Sequence, residues 1–225
     1  MSLEHDKAWA AEIKRLQEMK RYEQALYDAG IRYVAGIDEA GRGPIAGPVV
    51  AAAVILPPDF LLPGVDDSKR VRPALRRELA AEIKGAALSW AVGVVSVNCL
   101  DVINIYQATR LAMVTAVNNL NVRAEHLIID AIKLPELDLP QTPLIKGDSL
   151  SLSVACASIL AKVERDEAMD VFDRLFPGYG LAQHKGYATR EHLEAVFRLG
   201  PCPIHRSSFE PVKTWLGDKA NAGQI

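Results

Sequence analysis

The chain has 225 residues, 49% hydrophobic and 24% charged, with a net charge of −2, enough for one well-packed domain with a helical appendage. There is no global basic signature, so attraction to nucleic acid would have to come from a local patch. The apolar runs fall far short of a membrane span, no signal peptide opens the chain, and three distant cysteines (Cys99, Cys156, Cys202) argue against a disulfide frame or zinc site and suit a reducing cytoplasm.

Residues 1–30 read as one helix. Trp9, Ile13, Leu16, Met19, Tyr22 and Leu26 recur at spacings of three and four, and Gly30 is the stop. Residues 1–32 are taken as a docked appendage ahead of a main domain at 33–216. Strands are expected at 33–38 and 48–56, joined by GIDEAGRGPIAGP at 36–48. The first strand delivers Asp38 and Glu39 into a tight corner of Gly41, Arg42 and Gly43. Two adjacent carboxylates at the end of a buried strand repel each other, and burial penalises their charge. A hard divalent cation is the usual compensation. The plainer reading is a strand end with a solvated Glu and glycines that only turn the chain. Nucleotide loops fit poorly: the third glycine comes one residue late for G-x-G-x-x-G, and no Walker A sequence occurs.

A Pro-rich loop follows, containing Asp66, Asp67, Ser68, Lys69 and Arg70. Asp66 and Arg70 read as solvated, Asp67 or Ser68 as a cap of the next helix, and Lys69 as a cation for a phosphate. A helix is expected at 73–84, a third strand at 88–97 and a helix at 101–120 through Val102, Ile105, Leu111, Val114, Val117 and Leu120. Residues 127–129 form a short apolar strand after a long helix, which implies a parallel crossover. It ends on Asp130, where open α/β sheets place their sites. Leu144 and Ile145 make a brief strand before Lys146, Gly147 and Asp148; Asp148 also suits the start of a helix over 151–170. Residues 189–199 form a further helix, and 217–225 read as a disordered tail. Between the last two helices, His184, Lys185 and Tyr187 put positive charge beside an aromatic ring, a combination suited to a nucleic-acid backbone with a sugar or base to stack on. The alternative is a core tyrosine with solvated charges.

In a sheet of order 3-2-1-4-5, strands one and four are neighbours, so Asp38 and Asp130 lie side by side. Carboxylates gathered without His or Cys point to an all-oxygen site for one or two cations and to phosphoryl transfer. A serine or cysteine nucleophile finds no supporting motif.

The segments GIDEAGRGPIAGPVVAAAV, DSK, LIIDA, IKGDS, SVACASILAKVERD, YGLAQHKGYAT and PIHRSSF, in this order over 33–212, resemble bacterial ribonuclease HII. The resemblance implies an α/β ribonuclease H-like fold: a five-stranded mixed sheet of order 3-2-1-4-5, flanking helices and a C-terminal helical segment. It implies an endonuclease using Mn2+ or Mg2+ that cuts 5′ of ribonucleotides embedded in duplex DNA, leaves 3′-hydroxyl and 5′-phosphate ends, and serves ribonucleotide removal. Asp38, Glu39, Asp130 and Asp148 match the family's four catalytic acids. Gly41, Arg42 and Gly43 match the loop that contacts the ribonucleotide's 2′-hydroxyl. Tyr187 matches the tyrosine that packs on the following deoxyribose. Lys69, Lys146 and His184 fit phosphate contacts. Ala131 stands where a glycine is common, with no consequence expected. A monomer is expected, and a short C-terminal tail could contact a sliding clamp. The competing readings are a ribonuclease HIII-like hybrid nuclease, against which the short segment before Tyr33 argues, and a non-catalytic hybrid-binding module.

Overall fold

The computed structural model describes residues 3–221. Five strands form one mixed sheet: β1 (Val34–Ala40), β2 (Val49–Ile55), β3 (Ser89–Val95), β4 (His126–Asp130) and β5 (Gln141–Leu144). Their order is β3-β2-β1-β4-β5, the order expected from the sequence. β1, β2 and β3 are antiparallel neighbours, while β4 and β5 run parallel to β1. The helices are α1 (Leu3–Met19), α2 (Arg21–Asp28), α3 (Pro73–Ala86), α4 (Val97–Ile103), α5 (Ile105–Asn118), α6 (Gly147–Leu150), α7 (Leu152–Leu175), α8 (Leu181–His184), α9 (Arg190–Leu199) and α10 (Val212–Asn221).

The sheet divides two apolar cores. β2 reads VVAAAVI and feeds both by its twofold alternation. Val49, Ala51, Ala53 and Ile55 join the α5 side, and Ala52 and Val54 join the α7 side. α7 crosses β1 closely because Gly36 carries no side chain: a Cβ there would lie 2.2 Å from the Ser153 carbonyl carbon. That approach brings the small residues of α7 beneath the end of β1.

Several boundaries differ from the sequence reading. The N-terminal segment is two helices separated at Lys20, whose ammonium bonds the carbonyls of Pro58 and Phe60. The break lets α2 aim Glu23 into the core, where one carboxylate oxygen accepts from Ser151 Oγ at 2.5 Å, Ser153 N–H at 2.9 Å and Ser153 Oγ at 2.7 Å. The appendage thus caps the start of α7. Trp9, expected on the buried face, is 55% exposed. The helix expected at 101–120 is also two, α4 and α5, hinged at Asn104, which has φ +69° and whose side chain caps α5 by accepting from Gln107 N–H. α5 buries Ala108, Ala112, Met113 and Ala116, while Val102 is 84% exposed; small residues win that face because the helix lies close on the sheet. β5 precedes the expected strand and includes Pro143, which an edge strand tolerates. At the C-terminus, α10 continues to Asn221 where a disordered tail was expected from 217; residues 222–225 lie outside the described residues.

Candidate active site

The register of β1 on β4 sets Ile37 opposite Ile129, so the next residues, Asp38 and Asp130, stand side by side at the strand ends. One carboxylate oxygen from each of Asp38, Glu39 and Asp130 lies within 4.8 Å of the others. Asp38 is buried, and its pKa is pushed well up, first by burial, then by the charge of Glu39, with Asp130 adding to it. Burial also raises Glu39, although Arg42, 3.3 Å away, opposes it. The Glu39 N–H donates to Asp38 Oδ1 at 2.7 Å and Gly147 N–H donates to Asp130 Oδ1 at 2.7 Å. Glu39 Oε2 is buried with no hydrogen-bond partner among the described residues. An unpartnered buried carboxylate oxygen beside two more acids, with no His or Cys, is a donor set that fits a hard divalent cation.

The 41–43 corner is held from below by two buried arginines that have no carboxylate partner among the described residues. Arg206 donates to the carbonyls of Gly41 (2.5 Å), Arg42 (3.0 Å), Pro44 (2.7 Å) and Gly47 (2.8 Å). Arg165 donates to the carbonyls of Pro48 (3.1 Å), Ala46 (3.0 Å) and Lys185 (2.9 Å). Burial, and repulsion from Arg165, pull the Arg206 pKa down to about 9. Gly41 has φ +100°, and a Cβ on it would lie 2.1 Å from Arg165 Nε. Only glycine fits there. The same clamp fixes Tyr187, because Ile45 N–H also donates to the Gly186 carbonyl at 2.9 Å. A Cβ on Gly43 would sit 3.7 Å from Tyr187 Cε1, so the corner and the ring face each other. A cavity of 320 Å³ opens between them, lined by Glu39, Asp130, the 41–43 corner, Lys69, Lys162 and Tyr187.

Residues 35–212 match the family model described as "Ribonuclease HII". The chain belongs to the ribonuclease HII family. It is similar to the ribonuclease HII of Syntrophomonas wolfei, 59% identical over 216 residues, covering 96% of this chain and 85% of that one. It is 55% identical to the ribonuclease HII of Moorella thermoacetica, covering 91% and 99%. Among solved structures, the ribonuclease H2 of Pyrococcus horikoshii shares the fold, with TM-score 0.68, 24% identity and coverage of 81% and 96%. The ribonuclease HII of Archaeoglobus fulgidus, solved as a complex with PCNA, aligns with TM-score 0.59, 28% identity and coverage of 86% and 91%. The chain is accordingly an enzyme, a ribonuclease H endonuclease of a family that uses divalent metals.

Within this ribonuclease HII framework the sequence-derived residues separate into groups. Asp38, Glu39 and Asp130 come together. Asp148 is buried in the first turn of α6, outside the group of three, and its pKa is raised by burial, then by Asp67 and Asp130. Gly41, Arg42, Gly43, Lys69 and Tyr187 line the cavity beside the acids. Burial pulls the Lys69 pKa down, but Asp67, Asp38 and Asp148 outweigh it and leave it raised. Lys146 is exposed, in a left-handed turn before α6, and does not line this cavity. His184 does not line this cavity either. Its Nδ1 accepts from Gly186 N–H at 3.2 Å, which leaves Nε2 to donate to the Tyr179 carbonyl at 2.8 Å. Both ring nitrogens are engaged within the protein. Ala131 corrects the expectation of no consequence: its φ is +54°, a left-handed conformation that favours glycine.

The sequence reading missed Arg165 and Arg206. Both lie inside quoted motifs, but apart from Lys185 their partners are 117 to 165 residues away, and nothing local marks an arginine that serves backbone carbonyls.

Proposed function

We propose that this enzyme hydrolyses the phosphodiester bond on the 5′ side of a ribonucleotide embedded in duplex DNA, leaving 3′-hydroxyl and 5′-phosphate ends. The observation that carries the reading is one cavity lined by two of the gathered acids, the 41–43 corner and Tyr187. Asp38, Glu39 and Asp130 would hold Mg2+ or Mn2+, with Asp148 beside them. Such ions, when bound in a pair, supply an activated water and charge stabilisation for the leaving oxygen.

The chain's own residues supply the selection. Arg206 draws the corner's carbonyls inward, which leaves the peptide N–H side of Arg42 and Gly43 toward the cavity for a 2′-hydroxyl. Tyr187 is 43% exposed. Its ring, packed on the next sugar, leaves no room for a second 2′-hydroxyl and so senses the change from RNA to DNA. Lys69, with its raised pKa, stays charged beside the acids and faces the scissile phosphate. That the acids and the proposed junction-reading elements share one cavity supports this reading over the hybrid-nuclease and pure-binder alternatives.

A sliding clamp as partner belongs to the same proposal, supported by the PCNA complex of the Archaeoglobus fulgidus relative. So does a cytoplasmic location, supported by three free cysteines; among the described residues no helix is long and apolar enough to cross a membrane.

The test compares Asp130→Asn and Tyr187→Ala on a duplex with one ribonucleotide and on a uniform RNA/DNA hybrid. Asp130→Asn should lose turnover on both and keep binding. Tyr187→Ala should lose the preference for the single ribonucleotide and keep hybrid cleavage. A Tyr187→Ala variant with unchanged preference would remove the ring from the recognition scheme.

A further inference from the structure

Beneath Tyr187 lies a group of imidazoles that the hydrolysis itself does not use. His192, on α9, and His205, beyond it in the chain, are buried. His184 stacks on His192, with ring centroids 4.1 Å apart and planes at 18°. Hydrogen-bond polarity assigns the protons. The Tyr187 carbonyl can only accept, so His192 Nδ1, 2.8 Å from it, carries a proton. In a neutral ring His192 Nε2 is then bare, and it meets His205 Nε2 at 3.0 Å. The Cys202 N–H lies 3.0 Å from His205 Nδ1 and the Cys202 thiol 3.1 Å, both donors; the Cys202 carbonyl is farther, at 3.3 Å. His205 Nδ1 therefore accepts, and its proton sits on Nε2, facing His192.

The donors form a one-way chain: Cys202 to His205, His205 to His192, His192 to the Tyr187 carbonyl. The Tyr187 backbone is held on its other side as well, since its N–H donates to the His184 carbonyl at 3.0 Å. The Tyr187 carbonyl also accepts from Thr189 N–H at 2.8 Å, and Ile45 N–H holds the neighbouring Gly186 carbonyl, so the His192 bond is the side-chain part of a backbone grip that sets the direction of the half-exposed ring.

We propose that His192 is a positioning residue for Tyr187, kept in its Nδ1-protonated form by His205, and that junction selectivity passes through this hydrogen bond. The proposal rests on the reading of Tyr187 as the junction sensor. It predicts different behaviour from two isosteric changes. His192→Asn places an N–H near the Nδ1 position and retains the donor to Tyr187. His192→Gln reaches only the Nε2 position and loses that donor while still serving His205.

The readout is the ratio of cleavage rates on single-ribonucleotide duplex and uniform hybrid, with thermal stability and Mn2+ binding measured alongside. His192→Asn should keep a ratio near that of the unaltered enzyme. His192→Gln should lower it roughly tenfold, the scale of one lost hydrogen bond, and toward the value for Tyr187→Ala. Equal ratios for the two variants, or the reverse ranking, would overturn the proposal. If Tyr187→Ala changes the ratio and His192→Gln does not, only the His192 proposal falls. If Tyr187→Ala leaves the ratio unchanged, the sensor reading falls and takes the proposal with it. Nitrogen-15 NMR of the unaltered protein decides the tautomers even where neither variant folds: Nδ1–H on His192 and Nε2–H on His205 support the chain, and the opposite pair refutes it.

Discussion

Replacing Asp38 by Asn should stabilise the metal-free protein while abolishing its response to metal. Asp38, Glu39 and Asp130 present oxygens within 4.8 Å of one another. Two like charges at that separation repel by about 3.5 kcal/mol at an effective dielectric of about 20. Asp38 meets two such neighbours from a buried position, and its raised pKa reflects burial first and Glu39 next. Partial protonation already relieves some of this repulsion, so a net gain of about 2 kcal/mol is expected for the variant, a rise in Tm of about 4–8 °C. Asparagine retains an acceptor for the Glu39 N–H, so the local fold need not change. Calorimetry in chelator, then with increasing Mn2+, reads both effects. Mn2+ should raise the Tm of the unaltered protein and leave the variant unmoved. A variant that melts lower than the unaltered protein in chelator would refute the reasoning, because protein groups would then already neutralise Asp38.

Three further outcomes follow from single positions. Gly41→Ala should destabilise the fold, since its Cβ meets Arg165 at 2.1 Å and φ is +100°, whereas Gly43→Ala, whose nearest neighbour would be Tyr187 at 3.7 Å, should melt normally and raise KM; equal Tm losses would contradict this. Ala131→Gly should relieve the left-handed backbone at φ +54° and gain about 1 kcal/mol, visible as a higher denaturant midpoint at unchanged m. His192 and His205 are held neutral, their pKa values pushed to about 4 by burial, with His184 beside both and Tyr179 against His205. Unfolded imidazole titrates near 6.5, so the unfolded chain takes up protons that the fold refuses: this contribution is complete above about pH 6.5 and is lost as pH falls toward 4. Imidazole resonances of these two residues that titrate near 6.5 in the folded protein would contradict it.

The sheet order and the acid cluster were legible because they rest on local signals: short apolar runs that each end on a carboxylate, and a long helix that forces a parallel crossover between β1 and β4. The breaks at Lys20 and Asn104 were not legible, because the apolar spacing continues across both and tertiary contacts decide the direction of the chain. The internal contacts of His184 were not legible either. Beside Lys185 and Tyr187 it reads as part of a cationic surface, yet its two nitrogens are taken by Gly186 and Tyr179 within five residues. Glu23 and Arg206, and Arg165 in its bonds to Ala46 and Pro48, act over more than a hundred residues, where no spacing rule applies. The departure at Ala131 was visible in the sequence, but its cost became clear only from the backbone angle.

The central claim is tested most directly by cleavage of an end-labelled DNA duplex carrying one ribonucleotide, run with Mg2+, with Mn2+ and with chelator, and with the product ends mapped. A metal-dependent cut on the 5′ side of the ribonucleotide, leaving 3′-hydroxyl and 5′-phosphate, is the predicted result. Binding without cleavage under either metal, or a cut that survives chelator, would contradict the account.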